Sequence, residues 1–210
     1  MDEYTKIQTV FLRDASTNHK TLLEGQYTLP EFEYLAELPW EWTEKVNGTN
    51  IRIMWDTERV RFGGREKDAQ LNANLVNTLM EMFTAERFKS AGLADPICLY
   101  GEGYGPNIAK GSGNYRGDPS FVLFDVKVDK WWLRRADLND VAAKLGIDAV
   151  PVVGTGTLPE LVEFVRNGFK SQWGDFDAEG IVARPAVPLC GRNGERLITK
   201  LKHRDFPEAA

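Results

Sequence analysis

Apolar and polar positions alternate with a period of two over residues 49–62: Ile51, Ile53 and Trp55 interleave with Arg52 and Met54, and Val60 and Phe62 follow the turn Asp56-Thr57-Glu58. That period predicts a hairpin with one apolar face. Between residues 69 and 88 the period changes. Leu71, Leu75, Leu79, Met82 and Phe83 recur at spacings of three and four, which predicts a helical region ended by Gly92 and Pro96. Residues 97–100 and 120–128 are dense in β-branched, aromatic and aliphatic side chains, as buried strands are. Helical spacing returns with Leu138, Val141, Ala142 and Leu145, stopped by Gly146. Thr157-Leu-Pro-Glu160 then has the form of a capping box ahead of Leu161, Val162 and Val165. Residues 181–184 and 196–201 read as strands flanking Arg192-Asn-Gly-Glu195, whose Asn-Gly pair favours a tight hairpin turn. The sum is an α+β chain of mostly antiparallel sheets with packed helices.

Composition narrows the class. The chain has 210 residues, 42% of them hydrophobic and 11% aromatic, and a chain of this size buries about 70% of its unfolded surface on folding. Disordered and fibrous classes are excluded. There is no internal repeat, low-complexity tract or Ser/Pro-rich linker, so residues 1–210 are expected to form a single domain. The longest apolar runs are short, such as Phe121-Val-Leu-Phe124, and the start Met-Asp-Glu-Tyr-Thr-Lys lacks a signal-peptide pattern. A cytoplasmic protein with no membrane association is expected. Cys98, Cys190, His19 and His203 match no metal-ligand spacing, which speaks against a disulfide framework or a structural zinc site.

A net charge of −5 argues against a basic nucleic-acid coat. Local charge differs: Arg59, Arg61, Arg65 and Lys67 cluster, as do Lys127, Lys130, Arg134 and Arg135, and again Arg196, Lys200, Lys202, His203 and Arg204. Each cluster alone is compatible with a solvated strand or helix face.

Among the chemistry-bearing motifs, the Walker A loop, His-Glu-x-x-His and Gly-x-Ser-x-Gly are absent. Gly101, Gly103 and Gly105 lack the further glycine of a dinucleotide fingerprint. Lysines and carboxylates at strand ends remain. Lys45 lies in Glu44-Lys-Val-Asn-Gly-Thr-Asn50, just before the first amphipathic strand. A Lys-x-x-Gly spacing alone arises roughly once by chance in a chain this long, and a surface lysine before a turn would explain it. Its company is more specific. Downstream and in order come Arg65 in Gly63-Gly-Arg-Glu66, Glu102 in Leu99-Tyr-Gly-Glu-Gly103, Phe121-Val-Leu-Phe-Asp125, Glu179-Gly-Ile-Val182 and Lys200-Leu-Lys202.

This ordered set, spanning Glu44 to Lys202, resembles the covalent nucleotidyltransferase superfamily of polynucleotide ligases and RNA capping enzymes. DNA ligases and capping enzymes usually read Lys-x-Asp-Gly-x-Arg at the nucleophile. Here Asn47 and Asn50 stand at the third and last positions. Lys-x-x-Gly-Thr-Asn, Gly101-Glu-Gly-Tyr-Gly105 and the closing Lys-Leu-Lys resemble the phage-type, ATP-dependent RNA ligases. The resemblance implies an adenylyltransferase, ATP-grasp-like ligase core. No OB or other C-terminal domain is expected, because the chain ends eight residues after Lys202.

In family terms Lys45 attacks the α-phosphate of ATP, expels pyrophosphate and holds AMP as a phosphoramidate. The AMP then passes to an RNA 5′-phosphate, and an RNA 3′-hydroxyl displaces it to close the phosphodiester. The chemistry needs a neutral amine, while an unperturbed lysine with a pKa near 10.4 is deprotonated only about once in a few thousand at pH 7. Burial and neighbouring positive charge favour the neutral form. Lys200 and Lys202, with Mg2+ or Mn2+, are implied as those neighbours and as stabilisers of charge on the phosphate oxygens.

Glu179 is implied as a metal ligand, and Glu102 as a contact to the ribose or to metal-bound water. Arg65 is implied against ribose or phosphate. Phe124 and Val182 would sandwich the adenine, although either could be an ordinary core residue. Asn50 is implied near phosphate or metal water, and the Glu44 backbone at the adenine edge. Asp125 is expected to tie down backbone. The shortness of the chain implies weak, salt-sensitive RNA binding through the basic clusters, with a protein partner as a further source of docking. Two alternatives stay open: a DNA ligase or guanylyltransferase core, and a non-catalytic RNA-end-binding module of the same fold.

Overall fold

The computed structural model describes residues 3–66 and 69–206, so Lys67 of the first basic cluster lies outside the described residues. Along the chain the strands are β1 (Gln8–Thr9), β2 (Phe11–Arg13), β3 (Leu22–Tyr27), β4 (Trp40–Glu44), β5 (Thr49–Trp55), β6 (Val60–Gly64) and β7 (Ile97–Tyr104). They continue as β8 (Ser120–Val128), β9 (Trp131–Trp132), β10 (Asp148–Ala149), β11 (Val152–Gly156), β12 (Gly180–Pro185) and β13 (Thr199–Lys202). The helices are α1 (Pro30–Tyr34), α2 (Ala73–Met82), α3 (Ala85–Ser90), α4 (Arg135–Leu145) and α5 (Leu158–Arg166). The α+β class is as expected. No described helix is long and apolar enough to cross a membrane.

The chain forms two compact units, one of Val46–Val150 with the N-terminal residues through Thr5, the other of Lys6–Lys45 with the residues from Pro151 onward. In the first unit a sheet runs in the order β10-β8-β7-β5-β6, with β9 paired to β8. The expected hairpin is β5–β6, with Ile51, Ile53 and Trp55 buried against Leu75 and Leu79 of α2, Phe88 of α3, and Leu138 and Leu145 of α4. Strand β7 runs past residue 100 through Gly101, Gly103 and Tyr104. Phe121 and Leu75 fill the space that side chains at the two glycines would need. The expected helical region at 69–88 is two helices. Phe83 leaves helical geometry, and the Thr84 hydroxyl accepts from the Arg87 N–H to cap α3.

In the second unit the order is β1-β13-β12-β4-β11, with β2–β3 a separate pair. Its pairs are antiparallel except β1 with β13. The expected strand at 181–184 lies within β12, whereas the one at 196–201 is shorter and displaced, β13 covering only Thr199–Lys202, and Gly194, with a φ of 78°, turns the chain between them. Strand β4 lies between β12 and β11, and its inward residues Trp40 and Trp42 join Ile181, Ala183 and Leu201 in the core. Helix α5 closes that core with Leu158, Leu161, Val162 and Val165. Its predicted capping box is present, with Thr157 and Glu160 exchanging hydrogen bonds.

Candidate active site

In the second unit the period of two on β12 and β13 sorts side chains between core and open face. Ile181, Ala183 and Leu201 go inward, while Val182 stands across from Lys200, and Gly180 from Lys202. The Lys45 N–H donates to the Gly180 carbonyl at 2.9 Å, which continues the β4–β12 ladder to the end of β4. Lys45, Val182, Lys200 and Lys202 are thereby brought to neighbouring register positions. Gly180 has a φ of 152°, and a Cβ there would lie 2.1 Å from the Leu201 carbonyl oxygen, so the close approach of β12 to β13 requires glycine.

The preceding residue, Glu179, joins the lysines. Its Oε2 accepts from Lys45 Nζ at 2.6 Å and its Oε1 from Lys202 Nζ at 2.6 Å. Burial alone would raise the Glu179 carboxyl, but the Lys45 charge and the hydrogen bonds from Lys202 and Lys45 together hold it below the usual carboxylate range. The Lys202 end of β13 is itself anchored. Its N–H donates to Asp205, which also accepts from Arg13.

Glu44 faces away from this cluster. Its carboxylate is buried and accepts from the Ser171 hydroxyl at 2.6 Å and the Gln172 N–H at 2.8 Å. Burial pushes the carboxyl up, against the lowering effect of those two bonds. The Glu44 backbone N–H donates to the Pro151 carbonyl. Ser171 and Gln172 are positioning residues that the sequence did not reveal, since their partner is 127 and 128 residues away.

The first unit holds the remaining expected residues. Asn50 on β5 pairs with Glu102 on β7, and the Asn50 Oδ1 is buried without a hydrogen-bond partner among the described residues. A buried acceptor left open suits a ligand donor. Gly48 makes this corner possible, because a Cβ there would lie 2.2 Å from the Gly103 carbonyl oxygen and 2.9 Å from Glu102 Cγ. Asn47 clamps the neighbouring segment. Its Nδ2 donates to the Lys110 carbonyl at 2.6 Å and its N–H to the Tyr115 hydroxyl at 3.2 Å. Aspartate, usual at this position in DNA ligases and capping enzymes, would offer the Lys110 carbonyl no donor.

Phe124 is the extra residue of a bulge, since the β7–β8 register shifts between Tyr100↔Asp125 and Gly101↔Leu123. Bulges re-aim side chains, and the Phe124 ring is half-buried, edge-on to Tyr4 at 5.1 Å. Asp125 is wholly buried and accepts from the Tyr4 hydroxyl at 2.6 Å, so its side chain ties down the N-terminal segment. Arg65 lies just beyond β6 and is exposed. Buried Arg52 donates to the Gly64 carbonyl beside it at 2.7 Å.

Among the described residues, no group of three or more His, Cys, Asp or Glu side chains gathers as a metal site. In the second unit Glu179 offers carboxylate oxygens, and in the first Glu102 offers the same while the open Oδ1 of Asn50 offers an amide oxygen, each the kind of donor that a hard cation takes.

Comparison with known proteins sets this geometry in context. No curated protein sequence matches the chain. Its fold is similar to that of a Naegleria gruberi RNA ligase. A lysine-to-alanine variant of that ligase with ATP and Mn aligns with a TM-score of 0.71 at 16% identity, covering 96% of this chain and 56% of that one. A glutamate-to-alanine variant with ATP and Mn gives 0.71 at 17% identity, covering 96% and 56%. The same ligase with PPi gives 0.66 at 17%, covering 96% and 58%. The chain thus spans little more than half the length of these ligase chains. The sequence model of RNA ligases matches residues 38–202, from just before β4 to the end of β13, and the chain belongs to the RNA ligase family.

Proposed function

We propose that the chain joins RNA ends at the expense of ATP, through AMP carried on Lys45, with its two units serving as a single nucleotidyltransferase domain. One observation carries most weight: in a chain of the RNA ligase family, Lys45 and Lys202 converge on the single carboxylate of Glu179 at 2.6 Å each. A lysine held at the end of a strand, with a second lysine one carboxylate away, has the makings of a nucleophile beside a phosphate-binding charge.

In the first step the Lys45 Nζ lone pair attacks the α-phosphorus of ATP. A P–N bond forms, the bond to the bridging oxygen breaks, and pyrophosphate leaves. Lys200 and Lys202 offset the charge growing on the non-bridging oxygens. Lys45 needs a neutral amine, so its ion pair with Glu179 must open before attack. A divalent cation, Mg2+ or Mn2+, held by Glu179 and Glu102 would supply positive charge against the phosphate oxygens and compete with Lys45 for the Glu179 carboxylate. Phe124 and Val182 grip the adenine faces and the Glu44 backbone its edge, while Arg65 holds ribose or phosphate, Asn50 sits near phosphate or metal water, and Glu102 contacts the ribose or metal-bound water.

In the second step an RNA 5′-phosphate oxygen attacks the same phosphorus and releases Lys45. In the third an RNA 3′-hydroxyl attacks the activated 5′-phosphorus, and AMP leaves. RNA repair in the cytoplasm is the setting we infer, in keeping with two free cysteines.

Strand joining tests the proposal. With RNA bearing a labelled 5′-phosphate and a neighbouring 3′-hydroxyl, the chain should convert the label to a phosphatase-resistant form with ATP and a divalent cation. GTP should not replace ATP, and Lys45→Ala should be inactive. Joining by Lys45→Ala at the wild-type rate, or equal use of GTP, would overturn the proposal.

A further inference from the structure

Lys202 is held by a carboxylate at its side chain and by another at its backbone. Its Nζ donates to Glu179 Oε1 at 2.6 Å, and its N–H donates to Asp205 Oδ2 at 3.1 Å. The sheet register explains the need for the second tie. The His203 N–H donates to the Glu179 carbonyl, so by the alternation of antiparallel pairs the backbone groups of the next pair, Gly180↔Lys202, point away from each other. The Lys202 N–H thus turns toward the β1 side of β13. There β1 accompanies β13 at Thr199 and Lys200, short of Lys202. Asp205, in the turn that follows β13, supplies the acceptor that a longer β1 would have given.

The surroundings of Asp205 suit this task. It is 5% exposed, and each of its oxygens is engaged, Oδ2 by Lys202 and Oδ1 by Arg13 of β2 at 2.8 Å. Arg13 is fixed in turn, because its Nη1 donates to the carbonyls of His19 and Lys20 at 3.2 and 3.5 Å. The turn His203–Asp205 is also pinned to α5. His203 Nδ1 lies 2.9 Å from the Val165 carbonyl oxygen, and the Arg166 guanidinium covers the Phe206 ring at 4.5 Å. A carboxylate enclosed in this way has no oxygen left for nucleotide or metal, so any effect on the reaction passes through Lys202.

Glu179 holds the Lys202 ammonium here, but in the proposed reaction that carboxylate turns to the divalent cation. From then on the backbone tie decides where the ammonium stands. A displacement of about 1 Å at a reacting centre can cost roughly 100-fold in rate.

We propose that Asp205 is a positioning residue for adenylate formation: through the Lys202 N–H it fixes the place of the Lys202 ammonium against the α-phosphate. The task given to Lys202 rests on the ligase function proposed above. The test compares Asp205→Ala with Asp205→Asn in the full chain by three readouts: the rate of lysyl-AMP formation across ATP concentrations, exchange of the Lys202 amide by NMR without nucleotide, and melting temperature. Both variants lose the charge that pairs with Arg13, so both should melt below the wild type. The asparagine Oδ1 still accepts from the Lys202 N–H, since Arg13 keeps the His19 and Lys20 carbonyls.

Asp205→Asn should therefore stay within about threefold of the wild type in the rate at saturating ATP and in amide exchange. Asp205→Ala should lower that rate by about tenfold or more, speed the exchange by about tenfold or more, and leave the KM for ATP within about threefold. If Asp205→Ala does not fold, the same comparison in an Arg13→Met background leaves no unpaired charge at the site. A wild-type rate in the alanine variant, equal slowing in both variants, or unchanged Lys202 exchange in the alanine variant would overturn the proposal. If the wild type takes no label from ATP while the exchange difference is present, the ligase function fails and the hold of Asp205 on Lys202 stands.

Discussion

Replacing Glu179 by glutamine removes one negative charge from between two ammonium groups and leaves the side-chain volume almost unchanged. The two bonds are equally short, at 2.6 Å. Exposures of 12% for Glu179, 22% for Lys45 and 17% for Lys202 place both pairs between the surface and the buried limit. A surface pair contributes at most about 1 kcal/mol, and breaking a buried pair by removing one partner costs about 3–5 kcal/mol. The lysine tips keep some contact with water, so we expect a loss of about 2–3 kcal/mol for the two pairs together. With a urea slope of about 2–3 kcal/mol per molar, the midpoint should fall by about 1 M. Fluorescence of Trp40 and Trp42, on the adjoining strand β4, reports it. Adding Lys202→Ala to Glu179→Gln should cost less than the sum of the single changes, because the two share one interaction. A midpoint that stays put or rises in Glu179→Gln, in metal-free buffer, would refute the reasoning.

Two further perturbations probe the surroundings of Lys45. Burial raises the Glu44 carboxyl above its ordinary value of 4.5, against hydrogen bonds from Gln172 and Ser171. The folded chain then keeps that proton to higher pH than the unfolded chain, so the stability from this group falls as pH rises from 4.5 through the raised value. Glu44→Gln should flatten that slope in urea titrations run from pH 4.5 to about pH 7, and an unchanged slope would count against it. Gly48→Ala would put a Cβ 2.2 Å from the Gly103 carbonyl oxygen and 2.9 Å from Glu102 Cγ. Such overpacking costs about 1–3 kcal/mol, or roughly 2–12 °C in melting temperature for a chain of this size. Labelling by ATP should fall with it, and a melting curve matching the wild type would show that the corner can relax.

Sequence periodicity revealed the elements whose determinants are local. The β5–β6 hairpin, the α5 capping box and the turn at Gly194 each depend on a few adjacent residues, and each lies where those residues place it. Helix α3 was signalled as well, by Thr84, but the apolar spacing runs on across the break at Phe83 and hides it. Long-range relations left no such mark. Strand β4 has two tryptophans on its core side, yet nothing in residues 40–44 names β12 and β11 as its neighbours. The same holds for Tyr4 with Asp125, 121 residues apart, and for Glu44 with Ser171. Lys45, Glu179 and Lys202 were legible as residues because their spacing resembles a family. Their meeting at one carboxylate depends on the β12–β13 register, which only the folded chain supplies. Asn47 was legible only as a departure from the aspartate usual in DNA ligases and capping enzymes, and its reason, a donor to the Lys110 carbonyl, required the structure.

The central claim is that Lys45 becomes covalently bonded to AMP. The direct measurement is incubation of purified chain with α-labelled ATP and magnesium, followed by denaturing electrophoresis and mass spectrometry of the labelled peptide, beside a folded Lys45→Ala control. We predict label that survives denaturation, maps to Lys45 and is absent from the control. Label on another residue, or none in folded wild-type protein free of pre-bound AMP, would contradict the claim.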